Sequence, residues 1–429
     1  MAISNLRGLA VAILLLLPLG PAPVRAESSP DQSIQREQYK LRRNSRDAGA
    51  YHRLGDAYAQ KARETGDLSY LTLAEKALRK ALEITPGNAG AARHLAYVFS
   101  ARHEFLEAAA QAVKAIELDP KDGDAYGVLG DAYLELGRYD RAGEAYDAMM
   151  RLKSDLASYG RRSGIKNLRG DPAGAIDDLH RAVASGRATG QPRESIAWAQ
   201  SQLGAEHVAI GQHEAAEAQF LAALLTYPGY YRALGGLAQV RVAQGRRDEA
   251  AELYGKALAV TPLPEYAVAL GDLYTAMGRA ADAKRLYDLV EYIGQLNAVN
   301  KVIYNRELAY FYADHETKLD AALALARAEY EVRKDVYGHD VLAWALYKSG
   351  RWQESLAPME EALELGTRDA KLFFHAGMIH RAAGNTVRAR EYLARALATN
   401  PHFHVLHAAV AARALDELAP GRLAETDER

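Results

Sequence analysis

Apolar residues recur every three or four positions along most of the chain, and short breaks containing glycine or proline interrupt them. The stretch AYGVLGDAYLELGRYDRAGEAYDAMM, residues 125–150, shows one full unit of this pattern. Its first half places four residues on one helical face: Tyr126, Leu129, Gly130 and Tyr133. Gly137 ends that helix, because glycine adopts the left-handed cap conformation at little cost. A second helix carries Ala142, Tyr146 and Met149 on its inner face, so the unit is predicted to be an antiparallel helix pair.

The unit repeats with a nearly constant period. Pro86 and Pro120 are 34 residues apart, and so are Pro228 and Pro262. Glycines that follow a helical stretch keep a similar spacing: Gly137, Gly170, Gly211, Gly245, Gly278, Gly350 and Gly384. A single helix pair cannot bury its apolar face alone and must stack on its neighbours. The period therefore predicts an extended array of helix pairs.

The register resembles that of the tetratricopeptide repeat family, whose unit runs through an aromatic residue or leucine, Leu-Gly, Tyr, Ala, an aromatic residue, Ala and Pro. One unit with this order contains Ala92, Leu95, Ala96, Phe99, Ala108, Ala115 and Pro120. Another contains Leu234, Leu237, Ala238, Ala250, Tyr254, Ala257 and Pro262. The resemblance implies an all-α fold, a right-handed α-solenoid of about ten stacked antiparallel helix pairs with capping helices at both ends.

The register divides the chain into consecutive parts. These are a cleaved signal peptide at 1–26, a leader and N-terminal capping helix at 27–47, a first array segment at 48–290, an irregular junction at 291–306, a second array segment at 307–401, and a C-terminal capping helix with a polar tail at 402–429. We expect the last helix to run from about Phe403 to Leu418. The junction admits three readings: a lengthened helix, a bend within one superhelix, or a domain boundary.

Two further stretches depart from the pattern. The unit near Tyr159 carries Arg162, Ser163 and Lys166 where apolar residues belong, which predicts poor packing there. Residues 185–195, SGRATGQPRES, have the composition of a linker between units.

The first 26 residues have the features of a secretory signal. Arg7 precedes the apolar run LAVAILLLL, which is too short to span a bilayer comfortably, and helix-breaking residues and the small residue Ala26 follow it. Cleavage after Ala26 would leave no integral membrane segment in the mature chain. The sequence therefore predicts a periplasmic or secreted protein.

Composition and motifs argue against several classes of function. The formal net charge of −2 provides no basic surface for nucleic acid, and the absence of cysteine excludes thiolate chemistry and disulfides. There is no GxxxxGK[ST] loop, no HExxH zinc helix and no GxSxG elbow. We therefore expect a non-enzymatic protein without a cofactor.

Three histidines, His402, His404 and His407, fall within the stretch NPHFHVLHAA near the C-terminus. With His375 and His380 they could form a histidine-only metal site, which makes metal binding or delivery an alternative function. The repeat register places His407 at the first core position of the capping helix and Phe403 in the preceding turn. Only His404 and His407 share a helical face, so they are the candidate metal ligands.

In the resembled family the first helix of each pair lines a concave groove, which binds a protein or peptide partner. The register maps the groove positions of this chain to Arg93, Tyr97, Asp131, Trp198, Arg232, Gln239, Asp272, Arg306, Tyr310, Trp344, Tyr347, Lys371, Phe374 and Arg381. The resemblance therefore implies a scaffold, with a role in cell-envelope assembly or export as one specific version. A second alternative is a non-catalytic subunit of an envelope enzyme complex.

Overall fold

The computed structural model describes residues 29–65, 67–299 and 305–419, and helices joined by short turns are the regular secondary structure of this part. The predicted signal peptide and the end of the polar tail lie outside them. The helices are α1 Pro30–Arg43, α2 Ala48–Thr65, α3 Ser69–Ile84, α4 Ala89–Ala101, α5 Phe105–Leu118, α6 Gly123–Glu135, α7 Tyr139–Leu152, α8 Leu156–Leu168, α9 Pro172–Ala188, α10 Arg193–Ala209, α11 His213–Thr226, α12 Tyr231–Ala243, α13 Arg247–Val260, α14 Pro264–Ala276, α15 Ala280–Val299, α16 Asn305–Asp314, α17 Leu319–Val332, α18 Val336–Lys348, α19 Trp352–Leu363, α20 Ala370–Ala382, α21 Thr386–Thr399 and α22 His407–Glu417. Within the described part of the chain, no helix is both long enough and apolar enough to cross a membrane.

Twenty of these helices form ten consecutive pairs, from α2 with α3 to α20 with α21, and each pair packs on the next. The prediction of an α-solenoid of about ten units is therefore confirmed. The seven glycines that set the period all have positive φ, from 70° to 81°: Gly137, Gly170, Gly211, Gly245, Gly278, Gly350 and Gly384. Each one turns the chain from the first helix of a pair into the second.

Small residues in the first helix of a pair allow a large side chain of the second helix to lie directly on its backbone. A Cβ atom on Gly130 would lie 2.4 Å from the ring of Tyr146, and one on Gly271 would lie 2.4 Å from the ring of Tyr287. Tyr146 is only 3% exposed, so its ring fills the space between the two helices. The alternation of small and aromatic positions seen in the sequence is thus the packing contact within these pairs.

The two ends are covered by single helices, as predicted. Helix α1 begins with a capping box formed by Ser29 and Gln32. Helix α22 begins at His407, four residues later than the predicted start at Phe403. The ring nitrogen Nδ1 of His404 accepts the backbone N–H groups of Leu406, at 3.2 Å, and of His407, at 3.4 Å, so residues 401–406 form turns instead of helix.

Two sequence-based expectations were wrong in detail. The stretch 185–195 is mostly helical, because α9 extends to Ala188 and α10 begins at Arg193. The polar residues of the unit near Tyr159 are packed, because Arg162 and Lys166 both pair with Asp178, which is fully buried on α9. Farther on, α15 continues to Val299, so the irregular junction begins with a lengthened helix, and residues 300–304 lie outside the described part.

The second array segment packs against the first along one edge, which we call the seam. Loops of the second segment at 334–336, 366–367 and 399–402 lie on helix-pair turns of the first segment at 137–139, 168–170 and 208–213. Three hydrogen bonds repeat along this contact: Val336 N–H to Tyr139 Oη at 2.7 Å, Thr367 Oγ1 to the Leu168 carbonyl at 2.6 Å, and Asn400 Nδ2 to the Val208 carbonyl at 2.8 Å. The partners are 192 to 199 residues apart in sequence. The solenoid therefore returns onto itself after about six units.

Candidate binding groove

The first helices of the pairs supply the inner face of the solenoid, and the predicted groove residues fall into two sets. The first set, on α4 to α12, is accessible: Arg93, Tyr97, Asp131 and Trp198 are half-buried, whereas Arg232 and Gln239 are exposed. The second set, on α14 to α20, is mostly enclosed. Asp272, Arg306, Trp344 and Phe374 are buried, Tyr310, Tyr347 and Lys371 are half-buried, and Arg381 is exposed. We call the accessible set, together with the surface between its members, the open groove.

Inner side chains of the last helices contact one another and close off this part of the concave face. We call Trp344, Phe374, His375 and His407 the inner cluster. Trp344 stacks on His375 with 3.9 Å between ring centroids, and its Nε1–H donates to Asp314 at 2.7 Å. His407 stacks on Phe374 at 5.1 Å, which confirms its predicted packing against the last repeat. The concave face of the second segment is thus filled by its own side chains.

Asp272 links the inner cluster to the first segment. Its Oδ1 accepts hydrogen bonds from Tyr287 Oη at 2.8 Å and from His315 Nε2 at 2.7 Å, and His404 Nε2 lies 3.3 Å from its Oδ2. Burial alone would raise the pKa of Asp272, but the histidine contacts outweigh burial and lower it. The other ring nitrogen of His315 faces the Phe311 carbonyl at 2.8 Å, so both nitrogens face acceptors. Burial alone would lower the pKa of His315, but the hydrogen bond and charge of Asp272 outweigh burial and raise it, which favours the charged imidazolium.

Two of the three C-terminal histidines come together. The rings of His404 and His407 stack with 4.2 Å between their centroids, whereas His402 packs against the ring of His213 at 5.7 Å. His404 also caps α22, and His407 also lies on Phe374. In residues 29–65, 67–299 and 305–419 no three or more His, Cys, Asp or Glu side chains are grouped so that they could hold a metal ion. No observation in this part of the chain therefore favours the metal alternative.

The open groove has mixed charge. Near its N-terminal end, His52 Nε2 lies 3.0 Å from His94 Nδ1. Burial lowers the pKa of both histidines, that of His94 to about 4, which favours their neutral forms. Arg93 pairs with Asp122 and Asp124, at 3.2 Å and 3.0 Å. One unit later, the guanidinium of Arg161 forms hydrogen bonds of 2.9 Å to both carboxylate oxygens of Asp131. Most charges in this part of the groove are therefore already compensated within the protein.

A pocket of about 260 Å³ opens in the groove between α10, α12 and α14. It is lined by Ser201, Gln202, Ala205, Phe220, Arg232, Gly235, Gly236, Gln239, Tyr254, Glu265, Tyr266 and Ala269. The register had already assigned Arg232 and Gln239 to the groove. Sequence reasoning missed the other polar residues, although the adjacent glycines Gly235 and Gly236 inside a helix are a visible signal of close packing at this point.

Comparison with known proteins agrees with this architecture. Residues 93–157, 202–267 and 341–402 match the family described as tetratricopeptide repeat. A search of curated protein sequences gave no match.

Solved structures similar to this chain include PilW, described as a widely conserved type IV pilus biogenesis factor, with 21% identity over 49% of this chain and 92% of that one and a TM-score of 0.40. YrrB, described as having an unusual peptide-binding site, has 24% identity over 44% of this chain and 94% of its own, with a TM-score of 0.30. Yeast Tom70 has 14% identity over 93% and 96% of the two chains, with a TM-score of 0.40. The repeat register, the ten helix pairs and the three matched regions together show that this chain is an α-solenoid that carries tetratricopeptide repeats.

Proposed function

We propose that this protein is a non-catalytic scaffold that holds an extended segment of a protein partner in the open groove. The observation that supports this is the contrast between the two parts of the inner face. The inner cluster fills the concave side of the second segment, whereas Arg232 and Gln239 of the first segment stay exposed. Stacked repeats present long concave surfaces of this kind to their partners.

Site-specific photocrosslinking tests the groove directly. A photoreactive amino acid at Gln239, which is exposed in the groove, is compared with one at Leu225, which is 81% exposed on a second helix. Crosslinks to the same partner band should form from Gln239 and be at least about ten times weaker from Leu225. Equal yields from both positions would show that the groove is not the binding surface.

The scaffold is further proposed to act in the periplasm, in cell-envelope assembly or export. The support is the secretory pattern of the first 26 residues, with its small residue at Ala26. N-terminal sequencing of the protein from a periplasmic fraction should give a chain that begins at Glu27. A cytoplasmic protein that retains Arg7 would refute the location without affecting the groove.

A further inference from the structure

We propose that the pocket between α10, α12 and α14 is a subsite of the open groove that takes an acidic side chain, Asp or Glu, of the bound segment. This inference rests on the proposed function, because it names the chemistry that the groove recognises at one point. Four features of the pocket support it: a free cation, a set of neutral donors, a matching size and the arrangement of charge around it.

The free cation is Arg232. Its guanidinium carbon lies 5.2 Å from the centre of the Tyr231 ring, and the side chain is exposed to the groove. Among the residues that the structure describes, no carboxylate lies within 4.0 Å of it, whereas the groove arginines Arg93 and Arg161 are each paired with aspartate. Tyr231 therefore holds the guanidinium in place through its ring and a side-chain hydrogen bond, without neutralising the charge.

Neutral donors surround the same space. Ser201 is 3% exposed, and its Oγ is buried without a hydrogen-bond partner in the described part of the chain. A buried hydroxyl without a partner is costly, so a ligand oxygen beside it would restore a lost hydrogen bond. The side-chain amides of Gln202 and Gln239 line the same pocket. A carboxylate can accept hydrogen bonds from these groups. Their oxygens can also accept from a cation, so the preference for an anion comes from Arg232, whose guanidinium only donates.

The size of the pocket suits one side chain. Its volume of about 260 Å³ is below the range of about 300–1,000 Å³ that is typical of sites for whole small-molecule ligands. Its walls are tightly packed, because a Cβ on Gly235 would lie 2.3 Å from the Tyr266 ring and one on Gly236 would lie 2.2 Å from Phe220. The rigid walls favour a short branched end such as a carboxylate over a flexible bulky group.

One carboxylate, that of Glu265, opposes this assignment. It lines the pocket, and removal of water by the surrounding protein raises its pKa, an effect that neighbouring Glu307 increases. Arg232 partly offsets this rise, so the two charges of the pocket do interact. Because burial favours the neutral form of Glu265 while Arg232 stays charged, an acidic ligand is favoured over a basic one. Glu265 should nevertheless weaken the binding of an acidic ligand, which provides a second variant with the opposite expected effect.

The experiment selects peptides from a random dodecapeptide phage library on the immobilised full-length protein. We expect the enriched sequences to share Asp or Glu at one position. A synthetic consensus peptide with that residue changed to Gln or Asn should bind the protein at least about ten-fold more weakly, because it loses a charge-assisted hydrogen bond. On Arg232→Gln the two peptides should bind equally.

Three variants serve as checks. Arg181→Gln removes the same charge from an exposed pair with Asp177 on α9 and should keep the acidic preference. Glu265→Gln should bind the acidic peptide more tightly. Gln239→Ala, which removes one exposed donor, should weaken the acidic peptide and supplies an independent test if Arg232→Gln folds poorly by circular dichroism.

The outcomes separate the two proposals. Enriched peptides without an acidic position, or with a preference that Arg232→Gln and Gln239→Ala leave unchanged, would overturn the subsite and leave the groove function intact. No enrichment over the bare support would overturn both. If the enriched peptides share Lys or Arg instead and Glu265→Gln abolishes that preference, the pocket takes a basic side chain and the proposal of an acidic one is wrong.

Discussion

At the scale of single residues, Glu206 breaks the pattern of its own position. It lies two residues after the small residue of the first helix, a place that is apolar and fully buried in other units: Val98, Ala132, Val240, Leu273 and Ile379. Its Oε2 is buried without a hydrogen-bond partner in the described residues. Burial raises the pKa of Glu206 to about 7.

This shift gives a prediction for the pH dependence of stability. The unfolded side chain ionises near pH 4.3, whereas the folded one holds its proton up to about pH 7, so stability falls between these values as pH rises. We expect Glu206→Gln to raise the free energy of unfolding by about 1–3 kcal/mol at pH 8 and by much less at pH 4.5. Urea denaturation at the two pH values measures both differences. An equal effect at both pH values would show that burial does not raise the pKa of Glu206.

At the scale of the helix pair, the contact between a small residue and a large ring determines stability. Tyr146 cannot retreat from Gly130, because its hydroxyl donates to Asp131 at 3.0 Å and its ring is buried. Gly130→Ala should therefore lower the free energy of unfolding by about 1–3 kcal/mol through overpacking. Thermal and urea denaturation measure the change.

Gly255, exposed on the second helix α13, is the matched control. A Cβ there would meet no atom within 4 Å, so Gly255→Ala should stabilise the protein by about 0.5–1 kcal/mol through helix propensity alone. If both alanines were stabilising, the packing explanation would be wrong.

The elements were predictable from sequence because their signals are local. A glycine cap, a small residue and a ring at fixed spacing specify one pair without reference to the rest of the chain. The compensation of Arg162 and Lys166 by Asp178 was missed, because it depends on which face of the next helix points inward. The burial of Trp344 and Phe374 was also not predictable. It depends on the curvature of the solenoid, which is the sum of small rotations over many units and is not encoded in the spacing within any one of them.

At the scale of the whole molecule, an ion cluster supports the seam. Arg333, on the second segment, lies 2.6 Å from Glu135 of the first and 3.2 Å from Glu329, which is fully buried. Arg306 also pairs with Glu329, at 3.2 Å. Removing Arg333 would leave these carboxylates with one counter-charge fewer in a desolvated place.

We therefore expect Arg333→Met to destabilise the protein by about 3 kcal/mol and to open the seam. Hydrogen–deuterium exchange should become faster for the amide of Val336, which donates to Tyr139 across the seam, while helices α2 to α5 keep their rates. Arg388→Met removes an exposed pair with Glu360 and should change stability by less than about 0.5 kcal/mol. Unchanged exchange at Val336 would show that the seam does not depend on Arg333.

The seam also limits how the chain can change in length. Repeat arrays usually tolerate the gain or loss of a unit, because each unit contacts only its neighbours. Here Tyr139, Leu168 and Val208 each meet a loop nearly two hundred residues later, so a unit added or removed in between would move every later loop to the wrong turn. The contacts of the seam can therefore form with only one number of units between its two sides. The number of repeats in this protein is thus a property of its tertiary structure.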